Sequence, residues 1–490
     1  MRTRPVAFAC LILVLTISVS RGVGGEVDAE RNAYRWFSVP IEVTNLGTGA
    51  EFVPVRCHVD FSEMVKTLGA DGVVDEHSLR LYRVAGQEEK AEAVQFECDP
   101  QPRVKTVKKL ADTPVGVSYL GEYRAGEKPD GVKVAGELSF VARGNGEAGY
   151  RLEFGIRKDG TVVQAPFAPQ NLKVFDAQGR ATPVKDFQRM QIRPDRPIDR
   201  QVDIFDATRR ITTYHLGPTS VKQATEADAF RRPFCYPVYG PDGYALTDLG
   251  KPHDPTGTHA HHYSLWVAHQ SVGGVDFWSE KGGVIVSDGQ EVCEGGPVSC
   301  RVVQNLKWMN GEKELARERR TMVAYHTPEA YRILDFELEL KPTGDEVVLG
   351  KTTFGFLAVR VAQSMTVFDG GGEIRNSNGN LNERGCHLKK ADWLDLSGPV
   401  DEGRWAGVAM FDHPGNPHHP TVWHCRNDGW ACASFNANEG YTIRPGQTLK
   451  LKYRVLLHRG NAKDGEVEKR WNEYRVEPSV RLGRAEDLAK

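Results

Sequence analysis

The chain has 490 residues and a formal net charge of −2, with 40% apolar and 26% charged residues. This length allows two or three domains, each with its own core, and the composition is that of an ordinary globular protein. The near-zero charge argues against a nucleic-acid partner, which would normally require a basic surplus. Fifty glycines and 27 prolines imply many turns and therefore predict a β-rich protein.

The first residues have the pattern of an export signal. Residues 1–4 are basic, residues 5–19 are mostly apolar, and residues 21–25 are mostly small. We therefore predict a signal peptide over residues 1–25 and a secreted or periplasmic location. An uncleaved membrane anchor is the alternative, although the apolar run is short for a span. No later run is apolar enough to cross a bilayer, so no membrane span is expected after the signal peptide.

Cysteine usage fits an exported protein without defining a metal site. Beyond residue 25 there are eight cysteines, an even number that permits disulfides. Their spacing does not determine a pairing. Because no CxxC motif occurs, a structural zinc site or a redox dithiol is not expected.

The chain beyond the signal peptide divides into three predicted regions. Residues 26–200 show alternating strand patterns without a catalytic constellation, and they predict an accessory β-sandwich. Residues 201–475 contain many strand patterns separated by Gly and Asp turns, and predict a large antiparallel sandwich. No strand–helix alternation or glycine-rich phosphate loop occurs, which excludes nucleotide-binding α/β folds. Residues 476–490 are expected to form a C-terminal tail.

Two patches within the larger region contain most of the unusual chemistry. Nine of the 15 histidines lie in windows 253–269 and 413–424, and seven of the nine tryptophans lie between positions 266 and 430. If a strand begins near Tyr263, residues 259–262 precede it and can converge on a site from a loop, whereas His269 takes the opposite strand face from Trp266. We predict that the two patches meet and form one polar, aromatic-lined site.

Three interpretations of this site compete. Tryptophan faces can stack on a sugar ring while His, Asp, Asn and Arg bind its hydroxyls, and a His with an acidic partner can transfer protons. Alternatively, the histidines bind zinc, copper or iron. In the third interpretation the same residues only satisfy the backbone of buried loops.

The sugar interpretation assigns roles to individual residues. His261 or His262 would be the general acid and Asp276, Asp412 or Glu318 the base, although Glu318 could equally be a strand charge paired with an arginine. The complete set of catalytic candidates is His261, His262, Asp276, Glu318, Asp412, His413 and His424. The expected substrate-binding residues are His259, Trp266, Trp278, Asn376, Trp393, Asn416, Trp423 and Arg426. No cofactor is required, and the metal content is left open.

Several motifs together resemble a known family. They are residues 232–243, 259–262, 265–266, 274–278, 376–377, 392–395, 412–417 and 423–426. Over about residues 225 to 460 the chain is similar to the secreted bacterial PmoA-like family, which is named after a methane oxygenase and is typical of planctomycetes and related polysaccharide-degrading bacteria. The resemblance implies a galactose-mutarotase-like β-supersandwich, a fold used by sugar epimerases, glycoside hydrolases and polysaccharide lyases.

These observations together predict an exported all-β protein with an accessory β-sandwich followed by a β-supersandwich directed at glycans. Acid–base glycan cleavage or epimerisation is the expected activity. A non-catalytic carbohydrate-binding protein is one alternative. A metal-dependent oxygenase, as the family name suggests, is the other.

Overall fold

The computed structural model describes residues 32–99, 133–158, 172–175, 190–193, 196–198, 201–206, 209–226, 229–250, 259–279 and 282–489. The predicted signal peptide over residues 1–25 and His253 lie outside these ranges. No helix in the described ranges is long and apolar enough to span a membrane.

The N-terminal part is an antiparallel β-sandwich. Its strands are β1 (Tyr34–Thr44), β2 (Ala50–Asp60), β3 (Val74–Ala85), β4 (Glu88–Glu92), β5 (Val94–Cys98), β6 (Ala135–Gly144) and β7 (Glu147–Arg157). A six-stranded sheet faces a three-stranded sheet with the order β2-β6-β5. Every second residue of β1 from Phe37 to Val43 is buried in the core between them, as expected for a strand with one face covered.

The C-terminal end returns to this first sandwich. Strand β29 (Ser479–Leu482) and strand β30 (Glu486–Asp487) both pair with β1. The segment predicted to be a tail therefore supplies two edge strands to the N-terminal sandwich.

The remaining strands form the second sandwich and two small two-stranded sheets. They are β8 (Leu172–Phe175), β9 (Met190–Arg193), β10 (Arg196–Ile198), β11 (Gln201–Asp206), β12 (Arg209–His215), β13 (Phe234–Val238), β14 (Leu265–His269), β15 (Val284–Gly295), β16 (Ser299–Asn310), β17 (Lys313–Tyr325), β18 (Tyr331–Pro342), β19 (Val347–Leu349), β20 (Gly355–Arg360), β21 (Glu373–Asn376), β22 (Lys389–Lys390), β23 (Trp393–Asp401), β24 (Arg404–Asp412), β25 (Val422–Arg426), β26 (Trp430–Ser434), β27 (Tyr441–Ile443) and β28 (Leu449–Arg459).

Two large sheets form this second sandwich. The nine-stranded sheet has the order β22-β25-β26-β20-β14-β13-β12-β11-β8, and the eight-stranded sheet has the order β15-β16-β17-β18-β28-β24-β23-β21. Residues such as Val267 and Leu357 from the first sheet share one core with Leu306 and Val455 from the second. The prediction of an all-β protein built from antiparallel sandwiches is therefore confirmed.

Few helices occur in the described ranges. They are α1 (Phe61–Thr67), α2 (Val221–Ala224), α3 (Asn382–Cys386) and α4 (Val467–Tyr474), with a short 3₁₀ turn at Gln363–Met365. In α4, Val467, Trp471 and Tyr474 recur at helical spacing and are buried. They share a cluster with Phe52 of the N-terminal sandwich, so α4 and β2 help to hold the two sandwiches together.

Candidate functional site

The outer face of the nine-stranded sheet carries an aromatic cluster. Strand alternation places Leu265 and Val267 in the core, while Trp266 points to the opposite face. Strand β14 begins at Leu265, so residues 259–262 precede it, as the strand parity predicted. In strands β25 and β26 the same alternation directs Trp423 and Ala431 inward, and Trp430 outward.

The two sequence patches meet on this outer face. The His262 ring stacks on Trp266 with ring centres 5.4 Å apart, and it lies 4.9 Å from Trp430. Trp430 also lies 4.4 Å from the His424 ring. Trp430 therefore connects the first patch, through His262, to the second patch, through His424.

Two further aromatic side chains complete the cluster. Phe354 lies almost parallel to Trp430, with centres 6.0 Å apart and an angle of 13°. Trp278 lies 5.8 Å from Trp430 and 5.4 Å from Trp266. The indole N–H groups of Trp266 and Trp278 are buried without a hydrogen-bond partner in the described structure. Such unsatisfied donors cost stability. The packing of both indoles in the aromatic cluster offsets this cost.

His262 is held as a neutral imidazole. Its Nδ1 lies 3.0 Å from Nη1 of Arg360, and a guanidinium can only donate. The proton of the neutral ring therefore resides on Nε2. Burial, together with the positive charges of His261 and Arg360, lowers the pKa of His262 well below its usual value. An imidazole without its second proton is a poor general acid at neutral pH.

His424 has a similar electrostatic environment. It is 7% exposed, its Nδ1 lies 3.2 Å from the Thr353 hydroxyl, and its ring lies 4.6 Å from His387. Burial lowers the pKa of His424 to about 3, and the neighbouring His387 and Arg426 add to the effect. His424 is thus neutral at physiological pH and can bind a hydroxyl group without charge.

A groove of about 430 Å³ opens beside this cluster. Its lining residues are His259, Phe354, Phe368, Glu383, His424, Arg426, Asp428 and Trp430. Phe368 is 69% exposed, which is unusual for so large an apolar side chain. The groove therefore has aromatic surfaces inside and on its rim, a shape that suits a flat ligand with one apolar face.

The polar rim is held in place by its own hydrogen bonds. The Glu383 carboxylate forms an ion pair with Arg426, whose Nε lies 3.1 Å away, and accepts a hydrogen bond from the backbone N–H of Asn427 at 2.9 Å. Arg360 donates to the backbone carbonyl of Asp428 at 3.0 Å, and the Asp428 carboxylate lies 3.9 Å from Nε2 of His259. Two carboxylates and their basic partners are therefore preorganised around the opening.

The remainder of the second patch has a structural environment. Asp412 is fully buried and accepts from Nδ2 of Asn416 at 2.8 Å, from the Thr421 N–H at 2.9 Å, and bonds to Nδ1 of His419 at 2.8 Å. His413 is 6% exposed and packs against Tyr474. None of Asp412, His413 and Asn416 is among the residues that line the groove. Their predicted catalytic and substrate roles do not match this placement, because Asp412 is occupied in organising the loop that follows β24.

The other proposed bases also have internal partners. Glu318 is 2% exposed and binds Nε of Arg320 at 2.6 Å and Nε1 of Trp308 at 2.9 Å inside the sandwich. Asp276 accepts from the backbone N–H groups of Trp278 at 2.7 Å and Ser279 at 3.0 Å, which closes a turn. Neither carboxylate lines the groove, so each matches the structural alternative better than the role of a base.

Three predicted substrate ligands lie in the fold rather than at the groove. Trp423 is buried in the sandwich core and donates to the Ala391 carbonyl at 2.8 Å. Trp393 donates to Glu468 of α4 at 2.8 Å. Asn376 accepts from two backbone N–H groups of the turn that follows β21. Trp266 and Trp278 lie beneath the groove, whereas His259, His424 and Arg426 line it.

Five residues of the groove were not singled out from the sequence. They are Phe354, Phe368, Glu383, Asp428 and Trp430. Trp430 stands two residues after the turn at Asn427–Asp428 and pairs with Arg426 in the β25–β26 hairpin. This hairpin position, opposite a predicted substrate-binding residue, was the one sequence signal that could have placed Trp430 at the site. In the described ranges no group of three or more His, Cys, Asp or Glu side chains is arranged to hold a metal ion.

Comparison with known proteins identifies the family but no function. The family model described as "Family of unknown function (DUF6807)" matches residues 201–472. The chain belongs to this family. The DUF6807 segment contains the aromatic cluster, the groove and both sequence patches. The comparisons do not support the PmoA-like name, and no curated protein matches the chain.

Two solved structures show a distant likeness. One is a protein in the glycosyl hydrolase family 38 from Enterococcus faecalis, with a TM-score of 0.36, 9% identity and coverage of 91% of this chain and 47% of that chain. The other is an alpha-mannosidase from Enterococcus faecalis, with a TM-score of 0.35, 10% identity and coverage of 91% and 46%. The chain spans about half the length of each. Neither the fold assignment nor the functional proposal depends on these two structures.

Proposed function

We propose that the groove binds a carbohydrate. The observation that supports this proposal most strongly is the combination of Trp430, Phe354 and the exposed Phe368 with a polar rim in one groove. Aromatic faces stack on the apolar C–H face of a sugar ring, while a rim of carboxylate, guanidinium and imidazole groups can bind its hydroxyls. Export, predicted from residues 1–25, would bring the groove into contact with extracellular glycans.

The charge balance of the rim favours a neutral sugar. Glu383 is paired with Arg426, and Asp428 lies near Arg360 and His259. Because each carboxylate faces a basic group, no uncompensated positive charge is left to attract an acidic glycan. Neutral imidazoles, such as His424, fit the same conclusion.

Any acid–base step would use the groove carboxylates and His261. Glu383 and Asp428 line the opening, whereas Glu318, Asp276 and Asp412 lie elsewhere. The His261 ring lies 4.5 Å from the ring of His262, so it remains next to the site. Appearance of new reducing ends or of unsaturated products would identify hydrolase or lyase activity, and binding without either would identify a binding protein.

The test compares two buried histidines of the second patch. Purified wild-type protein, His424→Ala and the matched control His413→Ala are titrated with xylan, mannan, β-glucan and alginate. We expect His424→Ala to weaken binding of a neutral polysaccharide by about tenfold or more, as expected when a side chain at a hydrogen-bonded site is removed. His413→Ala should retain the wild-type affinity, because His413 does not line the groove.

The design separates loss of the site from loss of folding. Both histidines are buried to the same degree, at 7% and 6% exposure, so both substitutions create cavities of similar size. Equal affinities of the two variants for every polysaccharide would contradict the assignment of the site to the groove.

A further inference from the structure

A second depression lies where the β23–β24 hairpin turns beside the end of β28. It has a volume of about 520 Å³ and shares no lining residue with the groove. Its lining residues are Asp242, Gly403, Arg404, Trp405, Arg459, Gly460, Asn461 and Asp464. They come from both large sheets, because Asp242 follows β13 whereas the others follow or begin strands of the eight-stranded sheet.

Trp405 is the exceptional tryptophan of the chain. It is 36% exposed, whereas the seven tryptophans at 266, 278, 308, 393, 423, 430 and 471 are between 0% and 6% exposed. The remaining one, Trp36, is half-buried. An exposed indole forgoes the free energy of burial, and tryptophan on a concave surface is enriched at binding sites.

The walls of the depression are fixed by the fold. Arg459 forms a bidentate pair with Asp242 at 2.6 and 3.0 Å, which joins the end of β28 to the turn after β13. The Gly460 N–H donates to the Trp405 carbonyl at 2.7 Å. Gly460 has φ +69°, and a Cβ there would lie 2.4 Å from Cβ of Asp464. Glycine is therefore required for Trp405 and Asp464 to share this surface.

Polar groups beside the indole can bind hydroxyls. Oδ1 of Asn461 accepts from the backbone N–H groups of Lys463 at 2.9 Å and Asp464 at 3.1 Å. These bonds fix the amide plane and leave its Nδ2 as a donor toward the surroundings. The Asp464 carboxylate, in the same loop, is a hydrogen-bond acceptor. An amide donor and a carboxylate acceptor side by side can engage neighbouring hydroxyls.

The charge of the depression indicates the class of ligand. Its lining residues include two arginines, Arg404 and Arg459, and two aspartates, Asp242 and Asp464. Positive and negative groups therefore balance, and Arg459 is already engaged by Asp242. A phosphorylated, sulfated or uronate ligand would meet no surplus of positive charge, whereas a neutral polyhydroxylated ring meets an indole face and polar partners.

We propose that the Trp405 depression is a second carbohydrate-binding site for a neutral sugar ring. Trp405 provides the stacking surface, and Asn461 and Asp464 bind the hydroxyls. The two sites together would bind a polysaccharide at two points of the same chain, which raises its affinity above that of either site alone. The Trp405 site does not require the groove to bind sugar.

The experiment counts sites on the full chain. Wild-type protein, Trp405→Ala, Trp405→Tyr and Phe368→Ala are titrated calorimetrically with xylohexaose, mannohexaose and cellohexaose, and with xylan, mannan, β-glucan and alginate. For the neutral hexaose that binds, we expect a stoichiometry of two in the wild type and one in Trp405→Ala. Affinity of Trp405→Ala for the matching polysaccharide should fall about tenfold or more. Trp405→Tyr retains an aromatic face and should keep two sites, which also guards against a folding defect.

The outcomes distinguish the two sites. A stoichiometry of one in Trp405→Ala, together with an affinity about tenfold weaker at one of the two sites in Phe368→Ala, supports both sites. If Trp405→Ala abolishes binding while Phe368→Ala has no effect, the second site stands and the groove proposal is wrong. Unchanged stoichiometry and affinity in Trp405→Ala, or binding of alginate alone by the wild type, would overturn the second site.

Discussion

Polar side chains of the same types occupy two contrasting regions of the second sandwich. Inside it, the Glu318 side chain is 1% exposed and both its oxygens bind Arg320 or Trp308. At the groove, the Glu383 side chain is 25% exposed and its partner Arg426 is 48% exposed. The interior pair has all its hydrogen bonds made by the fold, whereas the rim pair still faces open space. Structural and ligand-binding groups therefore differ in burial and in how many of their hydrogen bonds the fold already makes, and not in residue type.

Histidines show the same contrast. His458 is fully buried, and its Nε2 lies 2.8 Å from Oδ1 of Asp395. Burial lowers the pKa of His458, but the charge of Asp395 and the hydrogen bond to it outweigh this effect, and the net pKa is raised. His424 has no such carboxylate, and its pKa falls to about 3. A carboxylate partner therefore favours the protonated form of His458, whereas His424, which lacks one, is a neutral hydrogen-bond donor or acceptor.

The largest effect is expected from removing one member of the interior ion pair. Glu318→Ala leaves the Arg320 guanidinium buried without its counter-charge, and should lower the free energy of unfolding by about 3–5 kcal/mol. Urea denaturation measures this quantity. In Glu339→Ala, which removes a partner of Lys450 at the surface of the same sheet, the loss should be about 0–1 kcal/mol. Similar losses in both variants would show that Glu318 is not a structural group.

A smaller change in the free energy of unfolding is expected when pH alters the protonation of His458. Since the folded pKa of His458 lies above the unfolded value of about 6.5, its pairing with Asp395 stabilises the fold fully below that pH and is lost as pH rises through the folded pKa. The difference in unfolding free energy between wild type and His458→Gln should therefore shrink as pH rises from about 6 to 9.

His424→Gln is the control, because the contribution of His424 to the free energy of unfolding should change with pH in the opposite direction. The pKa of His424 is depressed to about 3, so the unfolded chain binds its proton first and His424 lowers stability as pH falls below about 6.5. In denaturation measured from about pH 4 to 9, the stability difference between wild type and His424→Gln should change below about pH 6.5, and that between wild type and His458→Gln should change above it with the opposite sign. Changes of the same sign would contradict the contrast between the two histidines.

Much of the fold could be predicted from local patterns. Alternation in β14 placed Leu265 and Val267 opposite Trp266, because side chains of a strand alternate by geometry alone. The meeting of the His259–His262 segment with His424 followed from the unusual density of imidazole and indole. Both are properties that a short stretch of sequence contains.

The candidate site was only partly predictable, for a physical reason. The dense run from Asp412 to Asn416 arises because a buried loop needs a hydrogen-bond acceptor, which produces the same sequence signal as a catalytic loop. Conversely, Phe368 and Glu383 are isolated in the sequence, and hydrogen bonds of the Phe368 backbone and the Glu383 side chain to Asn427 bring them to the groove. Tertiary contacts, rather than local composition, decide which polar residues face open space.

The affinity of Phe368→Ala for a neutral polysaccharide tests the central claim most directly. Phe368 is 69% exposed on the rim, so its removal should leave the free energy of unfolding within about 0.5 kcal/mol of wild type. We expect groove binding to weaken about tenfold, since the loss of one stacking face corresponds to roughly 1.4 kcal/mol. Leu488→Ala, an apolar side chain 44% exposed near the C-terminus, should bind as wild type. Equal affinities of wild type, Phe368→Ala and Leu488→Ala would contradict the assignment of the groove as a carbohydrate site.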